Sequence, residues 1–166
     1  MTTVISGTGR PGSNTKKVAL TYCKMLQEAG IDYSLLSLDE HNVYKHNEEF
    51  IEIEKKYIIP ANRFIMIVPE YNGSYPGILK LMLDNSDVTK CWHHKKVLLT
   101  GISSGRAGNL RGLDHLTGAL MYLKMHVHPN RLPISVIDKL IGDDNEIHDE
   151  PTIHAIRQQL NEFQKF

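Results

Sequence analysis

The feature that most constrains the fold is the alternation of short apolar runs with helical or polar stretches. The runs lie at residues 2–6, 31–38, 63–68, 97–102 and 126–137. Strands that alternate with helices pair in parallel, and the connecting helices cover both faces of the sheet. The sequence therefore predicts an α/β fold, a doubly wound sandwich with a five-stranded parallel sheet. A length of 166 residues suits a single domain over residues 1–166.

The helices are predicted from apolar residues at helical spacing. They run from the loop 7–15 to Gly30, over 49–57, from Gly77 onward, over 110–124 and from Pro151 onward. Residues 88–96 are predicted as a polar connection that contains Trp92. Cys91 is expected near the surface beside Trp92. Cys23 is expected to lie on a helix near Tyr22 and Met25 and to serve in packing.

Composition excludes several classes of protein. The 19 acidic and 19 basic residues give a formal net charge of zero, without the basic runs of a nucleic-acid-binding surface. No signal peptide is visible, and no apolar run approaches the roughly 18 residues that span a membrane. Two cysteines far apart in the sequence are typical of a reducing compartment. We therefore expect a cytoplasmic protein that binds neither nucleic acid nor membrane.

Three strand-to-helix loops, residues 7–15, 69–77 and 103–109, are rich in glycine and polar side chains. Because each loop follows a parallel strand, all three are expected at the same edge of the sheet. Open α/β sheets bind ligands at this carboxyl edge. The three loops are therefore the predicted ligand site.

The first loop contains Gly-x-Gly-x-x-Gly over residues 7–12, the spacing of dinucleotide-binding folds. In those folds the helix begins inside the glycine motif, whereas Pro11 and the polar residues after it move the helix start later here. Asp39 also comes late for the acidic residue that binds a ribose, and no Gly-Lys-Ser/Thr is present. We therefore do not predict a dinucleotide-binding Rossmann domain.

The same loop offers donors that suit a terminal phosphate. Arg10 contributes a cation, and the start of the following helix contributes backbone N–H groups. A terminal phosphate has three acceptor oxygens and a nearly double negative charge, which such donors match. The polar side chains at this loop are Ser6, Thr8, Ser13, Asn14 and Thr15. The alternative is that Ser13 or Asn14 only caps the helix.

The other two loops suit a flat ring. Tyr71 and Tyr75 lie close to glycines, so a heteroaromatic ring has both a stacking surface and backbone amides within reach. In the third loop, Gly105 and Gly108 permit close approach of the backbone to a ligand. The alternatives are an ordinary long loop at 69–77 and a helix start at 103–109 with Asn109 as its cap.

Taken together, the loops resemble the NADPH-dependent FMN reductase family, whose members are flavodoxin-like. The resemblance rests on Ser-Gly-Thr-x-Arg-Pro-Gly-Ser-Asn-Thr from residue 6, Pro-Glu-Tyr-Asn-Gly-Ser-x-Pro-Gly from residue 69, and Gly-Arg-Ala-Gly-Asn-Leu-Arg from residue 105. The pattern departs from the family at Leu81 and Asn85, where the family usually has Asn and Trp.

The resemblance implies FMN as cofactor and NADPH or NADH as electron donor. It implies that Ser6, Thr8, Arg10, Ser13, Asn14 and Thr15 lie at the FMN phosphate. It further implies that the isoalloxazine ring is bordered by Pro69, Glu70, Tyr71, Asn72 and Gly73, with Ser103, Gly105 and Gly108 at its pyrimidine end or at the ribityl chain. Members are commonly homodimers or homotetramers, with the helix after the Tyr71 loop in the interface.

The function implied is hydride transfer from NAD(P)H through the flavin to a small acceptor such as a quinone, free flavin, azo compound or metal oxyanion. The flavin carries this chemistry, so no catalytic side chain is predicted. A flavodoxin-like electron carrier is the alternative, although flavodoxins are usually acidic and this chain is neutral. A flavin-binding module without turnover is another. No metal site is predicted, because no Cys or carboxylate set completes the His93-His94 or His126-x-His128 pairs.

Overall fold

The computed structural model describes residues Met1–Phe166 and is organised around one parallel sheet. Its strands are Thr2–Ser6 (β1), Tyr33–Ser37 (β2), Arg63–Pro69 (β3), Lys96–Ile102 (β4), His126–Val127 (β5) and Leu132–Ile134 (β6). The strand order is β2-β1-β3-β4-β5, and β6 also pairs with β4. Six strands therefore occupy five positions, and every pairing is parallel.

Helices connect the strands on both sides of the sheet. They are Asn14–Glu28 (α1), Glu48–Ile53 (α2), Gly77–Asn85 (α3), Val88–Cys91 (α4), Leu110–Tyr122 (α5) and Glu150–Lys165 (α6). A π-helical turn, Glu54–Ile58, continues α2, and a 3-10 turn, Ile137–Lys139, follows β6. None of the helices combines the length and apolar character needed to cross a bilayer.

The central strand β3 separates two hydrophobic cores. Phe64, Met66 and Val68 point into the core that packs against α2, α3 and α5, whereas Ile65 and Ile67 point into the core formed with α1 and α6. All five side chains are fully buried. Successive side chains of a strand point to opposite faces, so a continuous apolar run marks a strand covered on both sides. This confirms the predicted doubly wound arrangement.

The last strand is split where the sequence predicted an interrupted one. Lys96 and Val97 of β4 pair with β5, and Thr100 to Ile102 of β4 pair with β6. Between the two pieces the chain bulges at residues 128–131, which include Pro129. Because proline has no N–H for a sheet ladder, a continuous strand is interrupted there.

A buried glutamine occupies this gap. Gln159 of α6 donates from Nε2 to the carbonyl of Leu99 (3.0 Å) and to that of Asn130 (2.8 Å). Its Oε1 accepts from the hydroxyls of Tyr22 (2.6 Å) and Thr100 (3.1 Å). Buried backbone carbonyls cost free energy when they lack a donor. Gln159 thus replaces ladder hydrogen bonds that the split removes.

Two expectations from the sequence are wrong. Residues 88–96 are not only a connection, because they contain α4. Cys91 and Trp92 are fully buried, and the Trp92 ring lies 5.1 Å from that of Phe64. The apolar side of this one-turn helix completes the core over β3.

Element ends shift by a few residues. The strand predicted from Ile31 begins at Tyr33, and the helix predicted to residue 124 ends at Tyr122. The predicted helix 49–57 corresponds to α2 and the π-helical turn that follows it. Cys23 lies on the buried side of α1 and packs in the core, as expected. Burial raises the pKa of its thiol to about 12.

The gap in the fifth strand generates a stability prediction. We expect Gln159→Leu to lower the free energy of unfolding by about 3 kcal/mol, because the carbonyls of Leu99 and Asn130 would remain buried without a donor. Chemical denaturation followed by circular dichroism measures this change. The matched control is Gln158→Leu, one residue earlier and exposed, for which we expect a change within about 0.5 kcal/mol. Equal effects of the two substitutions would contradict the assignment.

Candidate functional site

A cleft opens where β1, β3 and β4 end. Its volume is about 270 Å³. The residues that line it are Arg10, Pro11, Ser13, Asn14, Thr15, Pro69, Glu70, Tyr71, Ile102, Ser103, Ser104 and Ile137. The three predicted loops therefore meet at one place, at the carboxyl edge of the sheet, as the parallel topology requires.

Eight of the predicted site residues line this cleft. They are Arg10, Ser13, Asn14, Thr15, Pro69, Glu70, Tyr71 and Ser103. Ser6 and Thr8 are fully buried and do not line it. Asn72, Gly73, Gly105 and Gly108 belong to the same loops, but they are not among the lining residues either.

The first loop presents unpartnered donors to the cleft. The backbone N–H groups of residues 12–15 donate to no other backbone group. Ser13 does cap α1, since its Oγ accepts from the N–H of Lys16 at 3.3 Å. The capping alternative is therefore correct for Ser13, and it leaves the N–H groups at the start of α1 free. A helix N-terminus with free N–H groups favours an anion.

One hydroxyl beside this loop has no partner at all. Ser6 ends β1 and is fully buried, and its Oγ forms no hydrogen bond. Buried polar atoms without a partner are rare in folded proteins. Ser6 is thus a buried donor left free where β1 meets the first loop.

Tyr71 joins the first loop to the second. Its hydroxyl lies 2.5 Å from Thr8 Oγ1, and the Arg10 guanidinium lies 4.2 Å from the centre of its ring. A guanidinium over an aromatic face is attracted by the negative face of the ring. Two loops that are distant in sequence therefore form one wall of the cleft.

The second loop contains a tight turn at Asn72-Gly73. Both residues have positive φ, 52° and 77°. Tyr71 and Ser74 exchange backbone hydrogen bonds of 2.8 and 3.1 Å across them. This geometry is a type I′ turn, for which Asn-Gly is the preferred sequence. The turn packs against α5, where His115 Nδ1 lies 2.9 Å from Ser74 Oγ.

The third loop is closed by Ser103. Its hydroxyl accepts from the N–H of Gly108 at 2.9 Å and donates to the carbonyl of Gly105 at 3.1 Å. Gly108 has a φ of +55°, and a Cβ there would lie 2.6 Å from the carbonyl carbon of Pro133. Gly105 has open space around it. The lack of a side chain at Gly108 is thus required for packing against β6.

Asn109 directly precedes α5, in the position of its cap, but its side chain forms no capping hydrogen bond. Its φ is +62°, and its Nδ2 donates to the carbonyl of Val68 at 3.0 Å. The side chain is fully buried, and Oδ1 forms no hydrogen bond. Asn109 therefore holds the third loop against the end of β3.

Sequence analysis missed a fourth segment, residues 136–139. The N–H of Val136 donates to Gly105 (2.9 Å) and that of Ile137 to Ser103 (3.1 Å). Asp138 accepts from Asn14 Nδ2 at 2.6 Å. The segment follows β6 at the same carboxyl edge, but it contains no glycine, unlike the three predicted loops. The sequence predicts an extended stretch through Ile137, whereas β6 ends at Ile134.

Charge within the cleft is sparse. Arg10 is the only basic lining residue and Glu70 the only acidic one. Lys16, which follows the loop, is engaged by Asp39 (3.4 Å) and Glu40 (2.5 Å). These contacts raise the pKa of Lys16, with the hydrogen bond to Glu40 as the largest cause.

The surface also contains clefts away from the three loops. A second cleft of about 340 Å³ lies between α1, α6 and residues 144–147, where Lys24 pairs with Glu146 at 3.0 Å. It lies away from the carboxyl ends of the strands. No group of three or more His, Cys, Asp or Glu side chains is arranged to hold a metal ion.

Comparison with known proteins accounts for this arrangement. Residues 2–137 match the model of a family described as NADPH-dependent FMN reductase. The chain belongs to that family. It is 26% identical over 168 residues to a protein named NADPH azoreductase from Bacillus sp. (strain OY1-2), with 96% of this chain and 90% of that protein aligned.

Two further comparisons agree. An NAD(P)H-dependent FMN reductase from Pseudomonas aeruginosa is 27% identical over 171 residues, which cover 96% of this chain and 91% of that protein. The structure of FerB, a flavoenzyme NAD(P)H:(acceptor) oxidoreductase from Paracoccus denitrificans, has a TM-score of 0.84 at 21% identity. That match covers 99% of this chain and 94% of FerB.

These findings confirm several predictions. The flavodoxin-like α/β fold is confirmed by the structural match. The chain is an NAD(P)H-dependent flavin oxidoreductase, with FMN and NADPH or NADH as its cofactors. Family membership alone does not assign roles to the individual site residues.

Proposed function

We propose that the cleft at the carboxyl edge holds FMN, within a single FMN-binding domain of residues 1–166. The observation that supports this most directly is the set of free donors around the first loop. Four consecutive backbone N–H groups of residues 12–15 lack a backbone acceptor, and Arg10 lies beside them. A phosphate monoester matches a helix N-terminus with a neighbouring guanidinium.

The remaining residues suit the rest of FMN. Tyr71 gives an aromatic face, and Pro69 and Ile102 give apolar surface where β3 and β4 end. The side chain of Thr8 orients Tyr71 through their hydroxyls. The other predicted residues do not line the cleft, and they support its walls from behind or from the side. They are Ser6, Asn72, Gly73, Gly105 and Gly108. When bound, FMN accepts electrons from NAD(P)H and passes them on, and the protein supplies binding, orientation and exclusion of water.

The acceptor proposed is a small molecule, namely a quinone, free flavin, azo compound or metal oxyanion. The Bacillus relative is named an azoreductase, so an azo compound is a suitable first substrate beside a quinone. We also propose a cytoplasmic location, which the two buried free cysteines support.

A flavin titration followed by turnover tests this function. We expect added FMN to lose fluorescence on binding, and NADPH under anaerobic conditions to bleach the flavin absorbance. Quinone or azo compound should then sustain NADPH consumption. Absence of binding at micromolar FMN would contradict the proposed site. Binding without NADPH consumption would favour the electron-carrier alternative.

Arg10 gives a residue-level test. We expect Arg10→Gln to weaken FMN binding by about 10- to 100-fold, because a charge-assisted hydrogen bond is lost. Riboflavin lacks the phosphate, so its affinity should change far less. Calorimetric titration of both ligands measures the difference. Arg157→Gln on α6, where the arginine pairs with Glu28, is the matched control. Equal losses for FMN and riboflavin would contradict the phosphate role.

The proposed assembly is a homodimer or homotetramer. The family resemblance implies that α3, the helix after the Tyr71 loop, lies in the interface. Exposed apolar residues on α5 also support an assembly, since Met121 and Tyr122 are 63% and 88% exposed and Leu110 is 48% exposed. Isolated apolar residues are common on surfaces, whereas several along one helix mark an interaction surface.

Light scattering tests the assembly. We expect the native protein to have two or four times the mass of the 18.9 kDa chain, and Tyr122→Lys to shift it toward the monomer. Burying a lysine in an apolar interface is costly. Tyr44→Lys is the control, because Tyr44 is 62% exposed and lies outside the helices. A monomeric native protein would contradict the proposal.

A further inference from the structure

A carboxylate lies against the anion-binding loop. Asp138 Oδ1 accepts from Asn14 Nδ2 at 2.6 Å, and Asn14 is both the first residue of α1 and a lining residue of the cleft. An acidic side chain favours the N-terminus of a helix for the same reason that a phosphate does. Asp138 therefore occupies the amide donor of Asn14 that an incoming phosphate would use, and it places a negative charge beside the first residue of α1.

The position of Asp138 is imposed by the backbone. Val136, two residues earlier, has a φ of 46°, in the left-handed region that β-branched residues rarely adopt. Such a conformation is unfavourable and persists only where neighbouring structure enforces it. The hydrogen bonds from Val136 to Gly105 and from Ile137 to Ser103 supply that enforcement. The turn that follows, Ile137–Lys139, directs Asp138 onto α1.

Among the residues that line the cleft, a single cation can offset this carboxylate. Arg10 lines the cleft and stacks on Tyr71, while Lys16 pairs with Asp39 and Glu40. Glu70 adds a second carboxylate to the lining. A phosphate with nearly two negative charges would therefore enter a site that contains one lining cation and an acidic neighbour.

We propose that Asp138 is a specificity-determining residue that weakens the binding of phosphate-bearing flavin, so that FMN exchanges with free flavin during turnover. This inference rests on the proposed function, in which the first loop binds the FMN phosphate. The donors of the first loop favour FMN over riboflavin, because only FMN carries the phosphate. Asp138 reduces this preference, so the difference between the two affinities is smaller than it would be without the carboxylate.

Substitution of the charge alone tests the role of Asp138. Asp138→Asn keeps an oxygen that accepts from Asn14 and removes the negative charge. We expect its FMN affinity to rise by about 5- to 10-fold, the size expected for a solvent-screened unit charge several ångströms from a phosphate. Riboflavin affinity should stay unchanged, and the gain for FMN should shrink at high salt. Calorimetry with FMN and with riboflavin gives these values without measuring activity.

Two controls separate the explanations. Asp32→Asn removes the same charge just before β2, at the opposite edge of the sheet, and should leave FMN affinity unchanged. Asp138→Ala removes both the charge and the acceptor. If Asp138 mainly positions Asn14 for the phosphate, Asp138→Ala weakens FMN binding and Asp138→Asn does not strengthen it, which overturns the inference.

The remaining outcomes are also decisive. An equal gain for riboflavin overturns the inference, because the effect would not act on the phosphate. If neither the native protein nor any variant binds FMN at micromolar concentration, the proposed function fails and the inference fails with it. Native binding that is unchanged in Asp138→Asn leaves the proposed function standing and overturns only the inference. Dialysis supports the inference if the native protein loses FMN faster than Asp138→Asn does.

Discussion

The in-register pairing of β3 with both of its neighbours is the constraint on which the site depends. Ser6 of β1 pairs with Ile67, and Pro69 pairs with Ile102 of β4. The ends of three strands are therefore held within a few residues of one another by backbone hydrogen bonds. A shift by one residue would exchange the side chains of β3 between the two cores, where Phe64 and Met66 pack on one side and the smaller Ile65 and Ile67 on the other. Side-chain packing in the two cores, together with the backbone ladder, thus fixes where the loops begin.

The loops then use their side chains mainly to fix one another. Thr8 holds Tyr71, Ser103 closes its own loop, and Asn109 holds the end of β3. The groups left free are mostly backbone N–H groups and one buried hydroxyl. This division suits a flavin enzyme, in which the protein provides a shaped, hydrogen-bonding cavity and the cofactor provides the reactive atoms.

The sequence was sufficient for the architecture and for three of the four loops. Strand runs, helical spacing and the rule that ligands lie at the carboxyl edge locate residues 7–15, 69–77 and 103–109 without any knowledge of contacts. It was insufficient for Asp138, because the end of the fifth strand depends on the bulge after Val127. It was also insufficient for Trp92, since one helical turn in a polar stretch has too few residues to show a period.

Finer roles at single residues depend on side-chain geometry that spacing does not encode. Ser13 is a helix cap in a loop that also offers free donors, so the two interpretations of its sequence are compatible. The lack of a side chain at Gly108 is explained by packing against β6, whereas Gly105, three residues away, has space around it. Packing therefore requires a glycine at position 108, whereas it does not require one at position 105.

The split of the fifth strand has a consequence for how this protein behaves in concentrated solution. That strand forms an outer edge of the sheet, the place where another chain would add a strand and begin to aggregate. Here the edge is broken into pieces of two and three residues, it carries a proline in β6, and the carbonyl of Asn130 between the pieces is already bonded to Gln159. Such an edge is a poor template for strand addition. The split thereby protects this edge of the sheet against fibre-like growth.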